Sequence, residues 1–137
     1  MSGTDPYFAA ALSDQEPTEA GRFVDVDSIE VVSFMEGLDF RPVVGRELLV
    51  SFNSYAPNTV VPAHAHEEEQ ITFVVEGEVE FTIGDETRML RPGTVAVIPP
   101  HVPHASRTYD QPCVQLDAFH PPRRAIVDAL SARERAE

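Results

Sequence analysis

The residues able to do chemistry gather in a few short stretches. The first is Val61-Pro62-Ala63-His64-Ala65-His66-Glu67-Glu68-Glu69-Gln70. His64 and His66 stand two apart, and alternate residues of an extended strand point to one face. Two imidazoles on one face can approach a single metal ion. Gln70 follows an acidic break, and its side-chain oxygen offers a third donor. His104, about one hairpin later, offers a fourth. Neutral imidazole is the commonest protein ligand of first-row transition metals. This donor set predicts one divalent transition metal, Fe, Mn, Ni, Co, Cu or Zn, and does not choose among them.

Such donors need a rigid frame, and the chain reads as strand after strand. Extended pieces are expected at 23–26 and 29–35, broken at Glu36-Gly37. Arg41-Pro42-Val43-Val44-Gly45 reads as a turn or edge strand, since proline has no N–H to donate. Strands follow at 47–55, at 60–66 carrying both histidines, and at 71–75. Val79, Phe81 and Ile83 alternate with polar neighbours, the pattern of a half-buried strand. Gly84-Asp85-Glu86 makes a hairpin turn, 87–90 returns, and 95–98, 104–108 and 113–119 complete the set. Short strands separated by Gly and Pro predict an all-β sandwich or barrel. Pro121-Pro122 then opens a helix over 123–135, with Ile126, Val127 and Leu130 as its apolar stripe. A helical turn is expected near 8–12. The division is an acidic N-terminal arm (1–21), a barrel (22–120) and a C-terminal helix (121–137).

The totals narrow the function. The 137 residues fit one domain. A net charge of -13 argues against nucleic acid and anionic membranes, which need basic footprints. No apolar run is long enough to span a bilayer, and no basic stretch followed by an apolar one marks a secretory signal. The single cysteine, Cys113, excludes an internal disulfide and agrees with a reducing, cytoplasmic setting.

Two motifs then carry a resemblance. His64-x-His66, three residues, Gln70, six residues and Gly77 form the first; Gly93, five residues, Pro99-x-His101, two residues and His104 form the second. In this order and spacing they resemble the cupin superfamily over about residues 46–123. Asn58 stands where the first motif's leading glycine usually sits. Gln70 replaces the usual glutamate, and His101 replaces the second motif's glycine at a turn position that favours positive φ. The resemblance implies a double-stranded β-helix (jelly-roll barrel) with a metal inside. It also implies a homodimer, as do apolar strands with too few helices to cover them. His64 to Gln70, Ile98 to His104 and Asp117-Ala118-Phe119-His120-Pro121-Pro122-Arg123 are more closely similar to the pectin-degradation cupins of the KdgF type. That likeness implies a His64, His66, Gln70 and His104 metal site, catalytic roles for Asp117, Phe119 and Arg123, and linearisation of an unsaturated uronate. His120 and Arg124 depart from that pattern beside the site.

The residues are consistent with such chemistry. Gln115, Asp117 and Phe119 share one strand face. A carboxylate there can move a proton between a ring hydroxyl and a carbon. Arg123 can grip a substrate carboxylate, and Phe119 can pack on a sugar's apolar face. A His and Gln site favours Lewis-acid chemistry over oxygen activation. The expected function is a metal-dependent isomerase of a small anionic substrate. A polyketide-type cyclase, a non-haem iron dioxygenase and a non-catalytic binding protein stand beside it. So do plainer roles. Gln70 can orient a histidine, Asp117 can cap a turn or pair with Arg123, and Phe119 can be core. Glu67, Glu68 and Glu69 can be a solvated loop. Val79, Phe81, Ile83, Val95 and Val97 are core or dimer-interface candidates.

Overall fold

The computed structural model describes residues 6–10 and 15–136. Parts of the expected arm (1–5 and 11–14) and of the helical turn at 8–12 lie outside the described residues. A short helix α1 (Pro6–Ala10) comes first. No strand forms at 23–26, although Asp25 keeps extended backbone. Phe23 has no core to pack on and is fully exposed, and a 3-10 turn forms at Val26–Ser28, closed by Ser28 N–H to the Asp25 carbonyl at 3.0 Å.

Ten strands follow among the described residues: β1 (Val32–Met35), β2 (Leu38–Val44), β3 (Leu49–Tyr55), β4 (Val60–His64), β5 (Glu69–Glu76), β6 (Val79–Ile83), β7 (Glu86–Leu90), β8 (Val95–Ile98), β9 (His104–Arg107) and β10 (Cys113–His120). The chain ends in α2 (Arg124–Ala136). The strands form a six-stranded sheet, β1-β2-β3-β10-β5-β8, and a four-stranded sheet, β4-β9-β6-β7, all antiparallel. This is a jelly roll with one C-terminal helix. Residues 41–44 belong to β2 rather than to a turn. Pro42 is tolerated because β1 pairs only as far as Phe40, so the missing N–H faces no partner strand.

Burial alternates residue by residue in β3 and β10, as a pleated strand with one interior face requires. The interior holds Leu38, Tyr55, Val74, Val79, Phe81, Leu90, Ala96, Ile98 and Cys113. Each large apolar side chain buried this way contributes about 1.5–3 kcal/mol. Ile126 of α2 seats on Leu49 and Phe119, with Val127 and Leu130 packed around it, so the predicted stripe faces the barrel. Val95 and Val97 differ from the core expectation. β8 lies at the sheet edge, turns Ala96 and Ile98 inward, and leaves both valines 55% exposed.

Gly77 joins β5 to β6 with φ 83, and a Cβ there would lie 2.5 Å from the Pro112 carbonyl oxygen. Left-handed strain and backbone overlap act together. Gly77→Ala is expected to lower stability by about 2–3 kcal/mol, read as a fall in the urea midpoint at constant slope.

Candidate metal centre

β4 and β9 pair so that His64 lies opposite His104. His66 is not on that strand. β4 ends at His64, and His66 falls in the loop before β5, where its carbonyl accepts the His101 N–H at 2.8 Å. That tie brings the ring back to its neighbours. His101 makes the turn with φ 68, and Asn58 likewise has φ 58. The ligand atoms of His64, His66 and His104 all lie within 4.8 Å of one another, a group that can hold a metal ion. Their burial is graded: His64 is exposed, His66 intermediate and His104 buried.

Each ring is oriented through Nδ1. His64 Nδ1 lies 2.8 Å from the Pro62 carbonyl, His66 Nδ1 3.0 Å from that of Glu68, and His104 Nδ1 2.9 Å from that of Val102. A carbonyl only accepts, so each Nδ1 carries the hydrogen and each Nε2 presents a lone pair. Burial pushes the His104 imidazole down to about 4, with His64, His66 and Arg123 adding to the effect. Burial, then Arg123, also lowers His66. Both rings are therefore neutral near pH 7, the state in which imidazole binds metals.

Gln70 comes from the opposite sheet. Its Oε1 lies 3.0 Å from His66 Nε2, while its Nε2 donates to Thr72 Oγ1 at 2.8 Å. Thr72 in turn donates to Asp117 Oδ1 at 2.6 Å. This chain sets the amide's orientation. An ionised Asp117 only accepts, so Thr72 gives it the hydroxyl proton and receives the Gln70 N–H. The Gln70 oxygen must then face the histidines, and two lone pairs meet at 3.0 Å. His104 Nε2 is also buried with no partner. Orphaned acceptors converging on one point fit a cation and little else.

Asp117 is 5% exposed and neither caps a turn nor pairs with Arg123. Its Oδ1 accepts Thr72 and Gln115 Nε2 (2.9 Å), and its Oδ2 accepts Asn53 Nδ2 at 2.6 Å. Ser51 donates to Asn53 Oδ1 at 2.6 Å. Burial raises the carboxyl to about 6, against the lowering effect of hydrogen bonds from Thr72, Gln115, Gln70 and Asn53. Phe119 serves two surfaces, packing on Leu49 and Ile126 and meeting the His66 ring at 5.8 Å.

Glu68 corrects the solvated-loop expectation, for it is 1% exposed. Its Oε2 accepts the Arg124 N–H at 2.7 Å, and its Oε1 lies 3.5 Å from Arg123 NH1. A run of three glutamates gives no signal of which one turns inward. The histidines, Gln70, Asp117, Phe119 and Arg123 all line one cavity of about 310 Å³. Phe34, Phe40, Tyr55 and Phe81 make much of its remaining wall, so the polar groups are grouped on an otherwise apolar surface.

Residues 52–119 match the family model described as the cupin domain. H2HPP isomerase of Bacillus subtilis is 42% identical over 73 residues, 52% of this chain and 30% of that protein. Dimethylsulfoniopropionate lyase DddQ of Ruegeria pomeroyi is 40% identical over 70 residues, 50% of this chain and 35% of that protein. The matched stretch thus spans about a third of the length of these curated relatives. Among solved structures, KdgF from Halomonas sp. superposes with a TM-score of 0.72 at 26% identity, covering 78% of this chain and 99% of that one.

Proposed function

The chain belongs to the cupin superfamily, and from that premise we propose a metal-dependent isomerase that moves a proton within a small acidic substrate. The observation that carries the reading is the hydrogen-bonded path Gln70–Thr72–Asp117, which joins the proposed ligand set to a buried carboxylate in one cavity. His64, His66 and His104 would hold the cation through Nε2, with Gln70 Oε1 as the fourth donor. A divalent cation there supplies positive charge to stabilise an anionic substrate oxygen. No redox step is required, so oxygen uptake on iron loading would instead favour the dioxygenase reading.

The chain's own groups would do the rest. Asp117 Oδ2 has one described partner, Asn53, and so keeps a lone pair to take a proton from one substrate atom and return it to another. Gln115 Oε1 is buried without a partner and would accept from a substrate hydroxyl or enol. Arg123 touches Glu68 only at 3.5 Å and keeps donors for a substrate carboxylate. Phe119 would pack on the substrate's apolar face. Arg123→Ala is expected to raise KM for acidic substrates roughly 10- to 100-fold, and that of neutral analogues far less. Equal effects on both would remove carboxylate recognition.

The substrate is where the cavity reshapes the expectation. An unsaturated uronate, and with it a place in carbohydrate metabolism, follows from the KdgF likeness. The aromatic walls favour a cyclic acid with fewer hydroxyls, a reading supported by the relative named as an isomerase. The same walls support a second reading, a cyclase of polyketide-like substrates. The test is to screen metal-loaded protein against unsaturated uronates and apolar cyclic keto acids in deuterated water, following C–H exchange and product by NMR. Isomerisation with solvent exchange supports the first reading. Ring closure without it supports the second, and neither event leaves a binding protein. A homodimer is supported by the exposed Ile71, Val75, Val95 and Val97 on the outer sheet face, and a cytoplasmic setting by the free, buried Cys113.

A further inference from the structure

Glu68 stands between two parts of the site that the sequence separates by more than fifty residues. On one side is the metal-binding loop. The Glu68 carbonyl receives His66 Nδ1 at 3.0 Å, and its carboxylate Oε1 lies 3.4 Å from the same nitrogen. On the other side is α2. The Glu68 Oε2 accepts the N–H of Arg124, the first residue of that helix, at 2.7 Å, and Oε1 reaches Arg123 at 3.5 Å.

Helix N-termini leave backbone N–H groups unpaired, and a Ser, Thr, Asp or Asn just before the helix usually supplies the acceptor. Here that place holds Arg123, whose side chain cannot accept. Glu68, at the neighbouring end of β5 where Glu69 pairs with His120, accepts from the first helical N–H instead, and its negative charge also suits the positive end of the helix. Its side chain is only 2% exposed, so water cannot substitute for these partners. The Arg124 N–H and the nearby Arg123 guanidinium offset the cost of burying its charge. One residue therefore holds the ring of a proposed ligand through its carbonyl, and the start of α2 and the guanidinium that lines the cavity through its carboxylate.

We propose that Glu68 is a positioning residue that couples cation binding at the histidines to the seating of α2 and Arg123. The proposal rests on the metal reading above. A cation on His66 Nε2 would make its Nδ1–H more positive, strengthening both the hydrogen bond to the Glu68 carbonyl and the attraction to the carboxylate 3.4 Å away. A better-fixed Glu68 holds the Arg124 N–H more firmly. Coupling of this kind is reciprocal, so loosening the helix contact must also weaken the cation.

The experiment uses the full chain as wild type, Glu68→Gln and Glu68→Ala, with zinc as the probe. Zinc affinity is read by competition with a chromophoric chelator, and the Arg124 amide by hydrogen exchange with and without zinc. In the wild type, zinc is expected to slow exchange at Arg124 about tenfold. Glu68→Ala is expected to raise the zinc Kd roughly 10- to 100-fold and abolish the slowing. Glu68→Gln keeps an acceptor for Arg124 without the charge, and should retain part of the protection while losing affinity. It also keeps the test decisive if the alanine variant fails to fold. Zinc binding with unchanged Arg124 exchange, or a Glu68→Gln affinity equal to wild type, overturns the coupling alone. No zinc binding by the wild type overturns both the coupling and the metal reading.

Discussion

His64→Ala is expected to leave the fold intact and to lose its metal. His64 is the exposed member of the histidine group, so truncating it opens no interior cavity. Its ring sits 4.3 Å from that of His104 and supplies one of three imidazole donors. Removing a group that merely supports a ligand commonly reduces metal affinity 10- to 100-fold. Removing a ligand should reduce it by about 100-fold or more. Elemental analysis after dialysis against a weak chelator reads the occupancy, and metal-free melting temperatures check the fold. The corresponding change at His104 is less informative. That ring is 3% exposed and stacked on Phe81 at 6.3 Å, so its loss would remove core packing as well as a donor. Full metal occupancy in folded His64→Ala would reject the site and the function built on it.

The histidine cluster was legible because its spacing is local. His-x-His and the later Pro-x-His-x-x-His place donors at strand ends and turns, where register follows from alternation and turn residues. Even so, His66 reaches the cluster by a loop and not along the strand, so strand alternation alone does not place its ring. Positive φ at His101 was readable for the same local reason. The fates of Glu68 and Asp117 were not. Their partners lie 56 and 64 positions away, at Arg124 and Asn53, and no local period encodes such pairings. Ser51, Asn53, Thr72 and Gln115 do leave a trace, as polar residues at inward positions of strands β3, β5 and β10. Burying them is unfavourable unless they are paired, so polar side chains in phase with a core are the signal that finds this network. Val95 and Val97 show the converse limit. An apolar alternation does not say which face of an edge strand meets the interior.

Asp117→Asn is expected to keep the metal and lose turnover by roughly 10²- to 10⁴-fold, the range associated with general acid–base groups. The hydrogen bonds explain why the change is selective. An asparagine can keep its oxygen at the Oδ1 position, still accepting from Thr72 and Gln115, so Gln70 stays oriented toward the histidines. The new NH2 then meets Asn53 Nδ2, donor against donor, at what was 2.6 Å. Asn53 can answer by flipping its amide, because Ser51 Oγ can accept as well as donate. The structure thus absorbs the substitution on the side away from the ligands. Stability carries an independent sign. The carboxyl is raised from 3.8 to about 6 in the folded protein, so its contribution to folding is fully present below 3.8 and lost as pH rises through about 6. Relative to wild type, the asparagine variant should therefore be more stable at pH 8 than at pH 4, read as the difference in urea midpoints. Wild-type turnover should fall as pH drops and the base is protonated, with an inflection below 6 once a cation sits nearby. Full turnover by a metal-loaded Asp117→Asn protein would move the proton transfer to another group, and loss of metal together with turnover would reduce Asp117 to holding Gln70 in place.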